Sequence, residues 1–115
     1  MIAQTGAGDL RERVAFDERI LVDDGYGNME GHFEEVFQCQ AAFTFLRGSE
    51  AVIAARLEGR QPVVVRVRAT PDTVGIQPDW RMRDVRTGIS YAVRSVAPTV
   101  DRKWVDVMTE TGVAE

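Results

Sequence analysis

The chain has one histidine, His32, and one cysteine, Cys39, and chemistry is sought there first. An imidazole or a thiol does acid–base or nucleophilic work only when a second group within reach moves or holds its proton. His32 stands beside an acidic, glycine-rich stretch with no serine or cysteine in a nucleophile motif near it, so it reads as a solvated histidine. Cys39 alternates with Phe37, Ala41, Phe43 and Phe45 and reads as a small apolar filler on a strand's core face. The adjacent carboxylates Asp23/Asp24 and Glu34/Glu35 point to opposite sides of an extended chain, so neither pair forms an acid–base couple. One histidine and one cysteine allow no disulfide framework and leave a structural zinc site short of its usual ligands. No catalytic residue, metal site or cofactor is expected.

The run Asp23-Asp24-Gly25-Tyr26-Gly27-Asn28 looks superficially like a calcium loop. An EF-hand needs oxygen ligands at its first, third and fifth positions, and here the third and fifth are Gly25 and Gly27. The same glycines are too close together for a dinucleotide fingerprint, and no helix follows to receive a pyrophosphate. The arginines form a more interesting set. Arg66 and Arg68 share one strand face, and so do Arg81 and Arg83. Were those strands neighbours, four guanidinium groups would form a patch with Tyr91 or Trp104 beside it, the make-up of a small oligonucleotide-binding barrel. Asp72, Asp79, Asp84 and Asp101 are interspersed through the same region. They favour ion pairs, on a solvated face or with a neighbouring subunit. Arg66, Arg68, Arg81, Arg83 and Asp84 are thus candidates for a subunit interface.

Charge is unevenly spread. The chain carries 14 Lys+Arg against 18 Asp+Glu, a net charge of −4. Residues 1–50 hold Arg11, Arg13, Arg19 and Arg47 against ten carboxylates, whereas residues 51–115 have a small basic excess. Gripping a phosphate backbone takes many cations on one surface, so a general polyanion binder is excluded. An acidic half and a mildly basic half suit head-to-tail docking between copies.

The elements that position these residues are mostly strands. Alternation with a period of two runs through Arg13 to Val22, Phe37 to Phe45, Val63 to Arg68, Trp80 to Arg83, Ile89 to Arg94 and Trp104 to Thr109. On the first of these, Val14, Phe16, Ile20 and Val22 share one face, and Arg13, Asp17 and Arg19 the other. Ser49 to Leu57 breaks the rhythm and reads as a helix within 49–58, capped by Ser49 and stopped at Gly59, with Ile53 and Leu57 as its buried stripe. Asp23 to His32 is too long for a tight hairpin and reads as a mobile loop. Thr70 to Asp79, with Pro71, Gly75 and Pro78, reads as an irregular connection. Arg86-Thr87-Gly88 and Pro98 to Arg102 read as turns. The fold class is mainly β: a small barrel or sandwich of about six antiparallel strands with one inserted helix. At 115 residues, with 44% hydrophobic and 28% charged, the chain suits one soluble domain, 1–115. No apolar run approaches the ~18–20 residues that cross a bilayer, so no membrane contact is expected. The first residues lack the basic and apolar regions of a secretory signal, and 1–8 is expected to be a flexible arm.

The order of these features resembles the head-tail joining family of tailed bacteriophages, also called head-closure, stopper or adaptor proteins, with relatives in gene transfer agents. Gly8-Asp9-Leu10-Arg11-Glu12-Arg13-Val14 is similar to the family's "G-x-L-R-x-R" opening, and Asp24-Gly25-Tyr26-Gly27-Asn28 to its "D-G-x-G" turn. Gly48-Ser49-Glu50 followed by Ala54-Ala55-Arg56 resembles the "G-x-E…A" helix entry. Val65-Arg66-Val67-Arg68 is similar to the "I-x-x-R" strand, and Asp79 to Arg83 with Gly88-Ile89-Ser90-Tyr91-Ala92-Val93 to the "R-I…G-x-x-Y-x-I" hairpin. The family usually shows a tryptophan shortly before the second strand; here Phe33 or Phe37 stands in that neighbourhood.

The resemblance implies a non-enzymatic virion protein, assembled in the bacterial host cytoplasm, whose copies form a ring, usually a hexamer, at the neck. Its partners would be the portal-adaptor ring on the head side and the tail terminator or tail tube on the tail side. Double-stranded DNA would pass through the lumen without sequence-specific binding. The ring would close the filled head and dock the tail. Asp23, Asp24, Tyr26, Asn28 and His32 in one segment, and Asp72, Val74 and Ile76 in another, are candidates to face the lumen or an adjacent ring and to order on assembly. Alternatives are a tail terminator, distinguished by the ring it touches, and the oligonucleotide-binding barrel, distinguished by tight and steeply salt-dependent binding.

Overall fold

The structure, a computed structural model, describes residues 9–46 and 48–111. The arm expected at 1–8 lies outside the described residues. Six strands and one helix follow in the order β1 (Glu12–Asp23), β2 (Met29–Phe45), α1 (Glu50–Leu57), β3 (Gln61–Arg68), β4 (Arg81–Asp84), β5 (Ser90–Pro98) and β6 (Trp104–Thr111). All neighbouring strands are antiparallel. Their spatial order, β1-β2-β3-β6-β5-β4, returns β4 to β1 and closes the sheet into a barrel.

Alternation fills the barrel. Val14 and Phe16 of β1, Val63, Val65 and Val67 of β3, Met82 of β4, Tyr91 and Val93 of β5, and Val105 and Val107 of β6 form the core. Phe37, Cys39 and Phe43 of β2 pack against it. Phe16 stacks on Phe37 with ring centroids 5.3 Å apart, and Phe43 meets the edge of Tyr91 at 5.7 Å. Such pairs add to the burial of their large apolar surfaces. Thr109 is buried, and its hydroxyl donates to the Val63 carbonyl at 2.9 Å.

β2 starts at Met29, well before the expected Phe37, because the connection to β1 is short. Asp24 Oδ1 accepts hydrogen bonds from the amides of Tyr26 (2.7 Å) and Asn28 (3.2 Å), and Asp23 Oδ1 from that of Gly25 (2.9 Å). Gly25 and Gly27 take φ of 85° and 86°, which residues with a Cβ rarely adopt. These side-chain and backbone preferences close the turn within residues 24–28, so the loop expected over Asp23 to His32 is a hairpin, and His32 is a strand residue. β4 pairs with β1 only from Val14 to Asp17, and β3 with β2 only from Ala41 to Phe45. Residues 18–34 therefore run past the barrel as a two-stranded arm, about 20 Å long at ~3.3 Å per residue.

Two further expectations are corrected. The helix forms where expected, with Ser49 Oγ accepting from the Val52 amide at 3.2 Å and Gly59 at φ 83° beyond its end. Its buried residue is Ala55, however, while Ile53 (47% exposed) and Leu57 (84%) face outward. This short helix contacts β3, and close approach selects the small side chain; beyond Gly59 the Arg60 amide closes the helix end by donating to the Ala55 carbonyl at 2.8 Å. In the connection from Thr70 to Asp79, a 3-10 turn at Thr73–Gly75 is tied down by Thr73 Oγ1, which donates to the Arg68 carbonyl at 2.6 Å. Ile76, expected on a projecting loop, is 3% exposed and plugs the core; Asp72 and Val74 stay at the surface.

Candidate assembly surface: the β1–β2 arm and its arginine root

A bulge sets up the base of the arm. Phe16 lies opposite Phe37, but the next residue, Asp17, lies opposite Glu35, so Val36 is the extra residue on β2. A one-residue shift exchanges the faces of everything beyond it. Phe37 points into the barrel, whereas Glu35 and Phe33, two and four positions earlier, join Asp17 and Arg19 on the outer face.

On that face β4 supplies two arginines. Arg81 Nε donates to Asp17 Oδ2 at 2.8 Å, and Arg83 donates through Nε to Oδ2 at 2.7 Å and through Nη2 to Oδ1 at 2.9 Å. Arg83 Nη2 also reaches Glu35 Oε1 at 2.8 Å. Arg83 lies directly opposite Ala15, whose single methyl leaves room for the guanidinium to slant towards Asp17. The Arg81 guanidinium carbon sits 4.5 Å from the Phe33 ring centroid, and that of Arg19 sits 5.8 Å away. Cation–π contact thus joins the ion cluster to the first apolar residue of the arm. Asp17 is 1% exposed. Burial pushes its carboxyl up, but the hydrogen bonds and charges of Arg83 and Arg81 outweigh burial and hold it below the ordinary value. Its bonds to Asp17, ahead of those to Glu35, raise the pKa of Arg83.

Past this root the arm has two unlike faces, since residues directly opposite share a side. One face carries Phe33, then Leu21 opposite Gly31, then Met29 opposite Asp23. Leu21 and Met29 are each 60% exposed, and Tyr26 at the tip is 89% exposed. The other carries Glu18 opposite Glu34, Ile20 opposite His32 and Val22 opposite Glu30. His32 Nε2 lies 3.1 Å from Glu34 Oε1 and faces solvent.

Residues 6–112 match the family model of the phage head completion protein. The chain belongs to that family. A phage head completion protein is a structural component of the virion, and completing the head is the role of this one. Solved structures share its fold. Protein SF1141 from Shigella flexneri 2a, a solution structure, superposes with a TM-score of 0.71 at 18% identity, covering 96% of this chain and 100% of that one. A chain in the virion of a native gene transfer agent particle superposes with a TM-score of 0.64 at 20% identity, covering 92% and 97%. No curated protein matches the chain.

In this head completion protein the four arginines singled out in the sequence do not form one patch, because β3 and β4 are not neighbours. Arg66 pairs with Asp106 through Nε (2.7 Å) and Nη2 (2.8 Å), while Arg68 lies over Trp104 at 5.7 Å. Arg81 and Arg83 serve the arm's root. Asp84 is 4% exposed, and its Oδ1 accepts from the Arg86 amide at 3.0 Å, closing the β4–β5 turn. Asp23, Tyr26 and Asn28 sit exposed at the arm tip, with Asp24 half-buried as the turn's acceptor. Sequence reasoning missed Asp17 and Glu35. Their only signal was a lone acid between apolar residues on one strand and an Arg-x-Arg on another. Among the described residues, no three His, Cys, Asp or Glu side chains gather as a cation site. No helix among them is long and apolar enough to cross a membrane.

Proposed function

We propose that copies of this chain form a ring at the neck of the virion, sixfold as the head-tail joining resemblance implies. The ring closes the DNA-filled head and presents the docking surface for the tail. It meets the portal-adaptor ring on one side and the tail terminator or tail tube on the other, and assembles in the bacterial host cytoplasm. The observation that carries this reading is the arm: a chain of the head completion family holds out a rooted, two-stranded ribbon whose apolar stripe is uncovered in the monomer. A ribbon of two strands is marginally stable in water unless it packs on something, so it is built for assembly. The arm supplies contacts between copies, and the exposed bend at Asp72 faces an adjacent ring or the lumen. A net charge of −4 per copy disfavours gripping DNA phosphates, as a conduit requires. No observation favours the oligonucleotide-binding alternative, since Arg66, Arg81 and Arg83 are each engaged by carboxylates of the same chain.

Electron microscopy of particles made without this protein tests the reading. Heads that leak DNA and unattached tails are the expected result. Filled heads joined normally to tails would end it, and density for the protein in the ring that caps the tail tube, one ring further from the head, would move it to the terminator.

A further inference from the structure

The surfaces by which neighbouring copies meet follow from the barrel order, granted the ring proposed above. In β1-β2-β3-β6-β5-β4, the β1/β2 pair and the β6/β5 pair lie half a turn apart. Both hairpins leave the barrel at the same end: Asp17 is opposite Arg81, Arg81 is opposite Ala92, and β5 continues from there to Pro98, opposite Val105. On the β5/β6 side this end holds a hollow of about 250 Å³, lined by Val74, Ile76, Pro78, Val96, Pro98 and Val105 among others. The adjoining turn exposes Val100, Arg102 and Lys103. Lys103 is attracted to Asp101 of the same turn, and with Arg102 the three residues leave that turn a net charge of +1. Asp101, in the same turn, is taken up by the Thr99 hydroxyl (2.6 Å) and the Lys103 amide (3.1 Å).

We propose that the arm of one copy seats in this hollow on the next copy of the chain. Tyr26, Met29 and Leu21 supply the apolar contact, and Asp23, opposite Met29 on the same face, meets Arg102 and Lys103. Residues 18–34 carry five carboxylates against one arginine, so the arm is repelled by DNA and by other arms and attracted to a basic rim. The hollow is smaller than the ~300–1,000 Å³ of ordinary ligand cavities and is sized for side chains. An arm on one side and its socket on the opposite side make a head-to-tail contact, the kind that closes into a ring.

The test is disulfide trapping in purified particles carrying full-length Tyr26→Cys/Val100→Cys protein. Mild oxidation should give a ladder of linked copies ending at the ring number, and particles mixing the two single variants should stop at dimers. Dimers from Tyr26→Cys alone, or no links in particles whose neck ring is visible by electron microscopy, would overturn the arm contact while leaving the ring intact. Particles whose necks lack the protein would instead remove the ring reading, and this inference with it. In the trapping variant, Asp23→Lys, on the seated face opposite Met29, and Lys103→Glu should each lower the linked yield about tenfold, and together restore it. A pair that fails as badly as either single change would refute the charge match.

Discussion

Replacing Asp17 by asparagine tests whether the arm is held by its arginine root. The carboxylate is 1% exposed and accepts hydrogen bonds from Arg81 and, through both of its oxygens, from Arg83. Removing one partner from a buried ion cluster typically costs ~3–5 kcal/mol, because the remaining charge is left unmatched. Two features place this case at the low end. The Arg81 and Arg83 side chains keep 23% and 33% of their exposure, and Glu35 still accepts from Arg83. About 3 kcal/mol is therefore expected, a fall in Tm of about 13 °C for a domain this size. Hydrogen exchange should show residues 18–34 losing more protection than β3 or β6. Acidity gives an independent check. The folded pKa of Asp17 lies below its unfolded value of ~3.9, so the cluster's contribution is complete above that value and fades as pH falls through the folded pKa. The stability gap between wild type and Asp17→Asn should hold from neutrality down to about pH 4 and narrow in stronger acid. A loss under ~1 kcal/mol with no pH dependence would refute the reasoning and make the cluster an ordinary surface pairing.

Three other expectations are simpler. Ile76→Ala should destabilise by about 2–4 kcal/mol in urea unfolding, against ~0.5 kcal/mol or less for Val74→Ala two residues away, because only Ile76 fills core. Burial, with Asp72 adding to it and Arg13 opposing, pushes the Cys39 thiol up to about 11. Its alkylation at pH 8 should thus run about a hundredfold slower than that of a free thiol and recover in denaturant. Ala55→Glu should detach α1 and lower the Tm by several degrees, roughly 1–3 kcal/mol for an unpaired buried carboxylate, whereas Leu57→Glu should leave the Tm nearly unchanged.

Where the side-chain alternation was unbroken, the sequence was enough. Val63, Val65 and Val67, or Val105 and Val107, sit on the core face that a period of two assigns them. Ile53 and Leu57 misled because four-residue spacing marks a helix's apolar stripe only when the helix buries that stripe, and α1 instead docks through Ala55. Ile76 lay between turn-forming residues, where one isoleucine cannot reveal that it turns inward. The arm's root was illegible for a sharper reason. Phe33, Glu35 and Phe37 have the spacing of one face, and only the bulge at Val36 separates them. Nothing local in the sequence marks that bulge; it is fixed by how β1 meets β2 and β4 at once.

That bulge also accounts for the arm's being the part that the proposed assembly would use. Within a closed barrel every strand is paired, and an oligomer cannot grow by adding strands to its sheet. Beyond the barrel, β1 and β2 each keep an unpaired edge, which in most proteins invites indiscriminate sheet extension. Here the flip at Val36 puts Phe33 on the same face as Leu21 and Met29, an apolar stripe that ends beside Asp23, and leaves Glu18, Glu30 and Glu34 on the other with Ile20 and Val22. Like charges discourage arm from pairing with arm, which leaves the stripe for a different surface. The same one-residue offset that lets Glu35 join Asp17 under Arg83 therefore stiffens the arm and aligns its apolar stripe with that root.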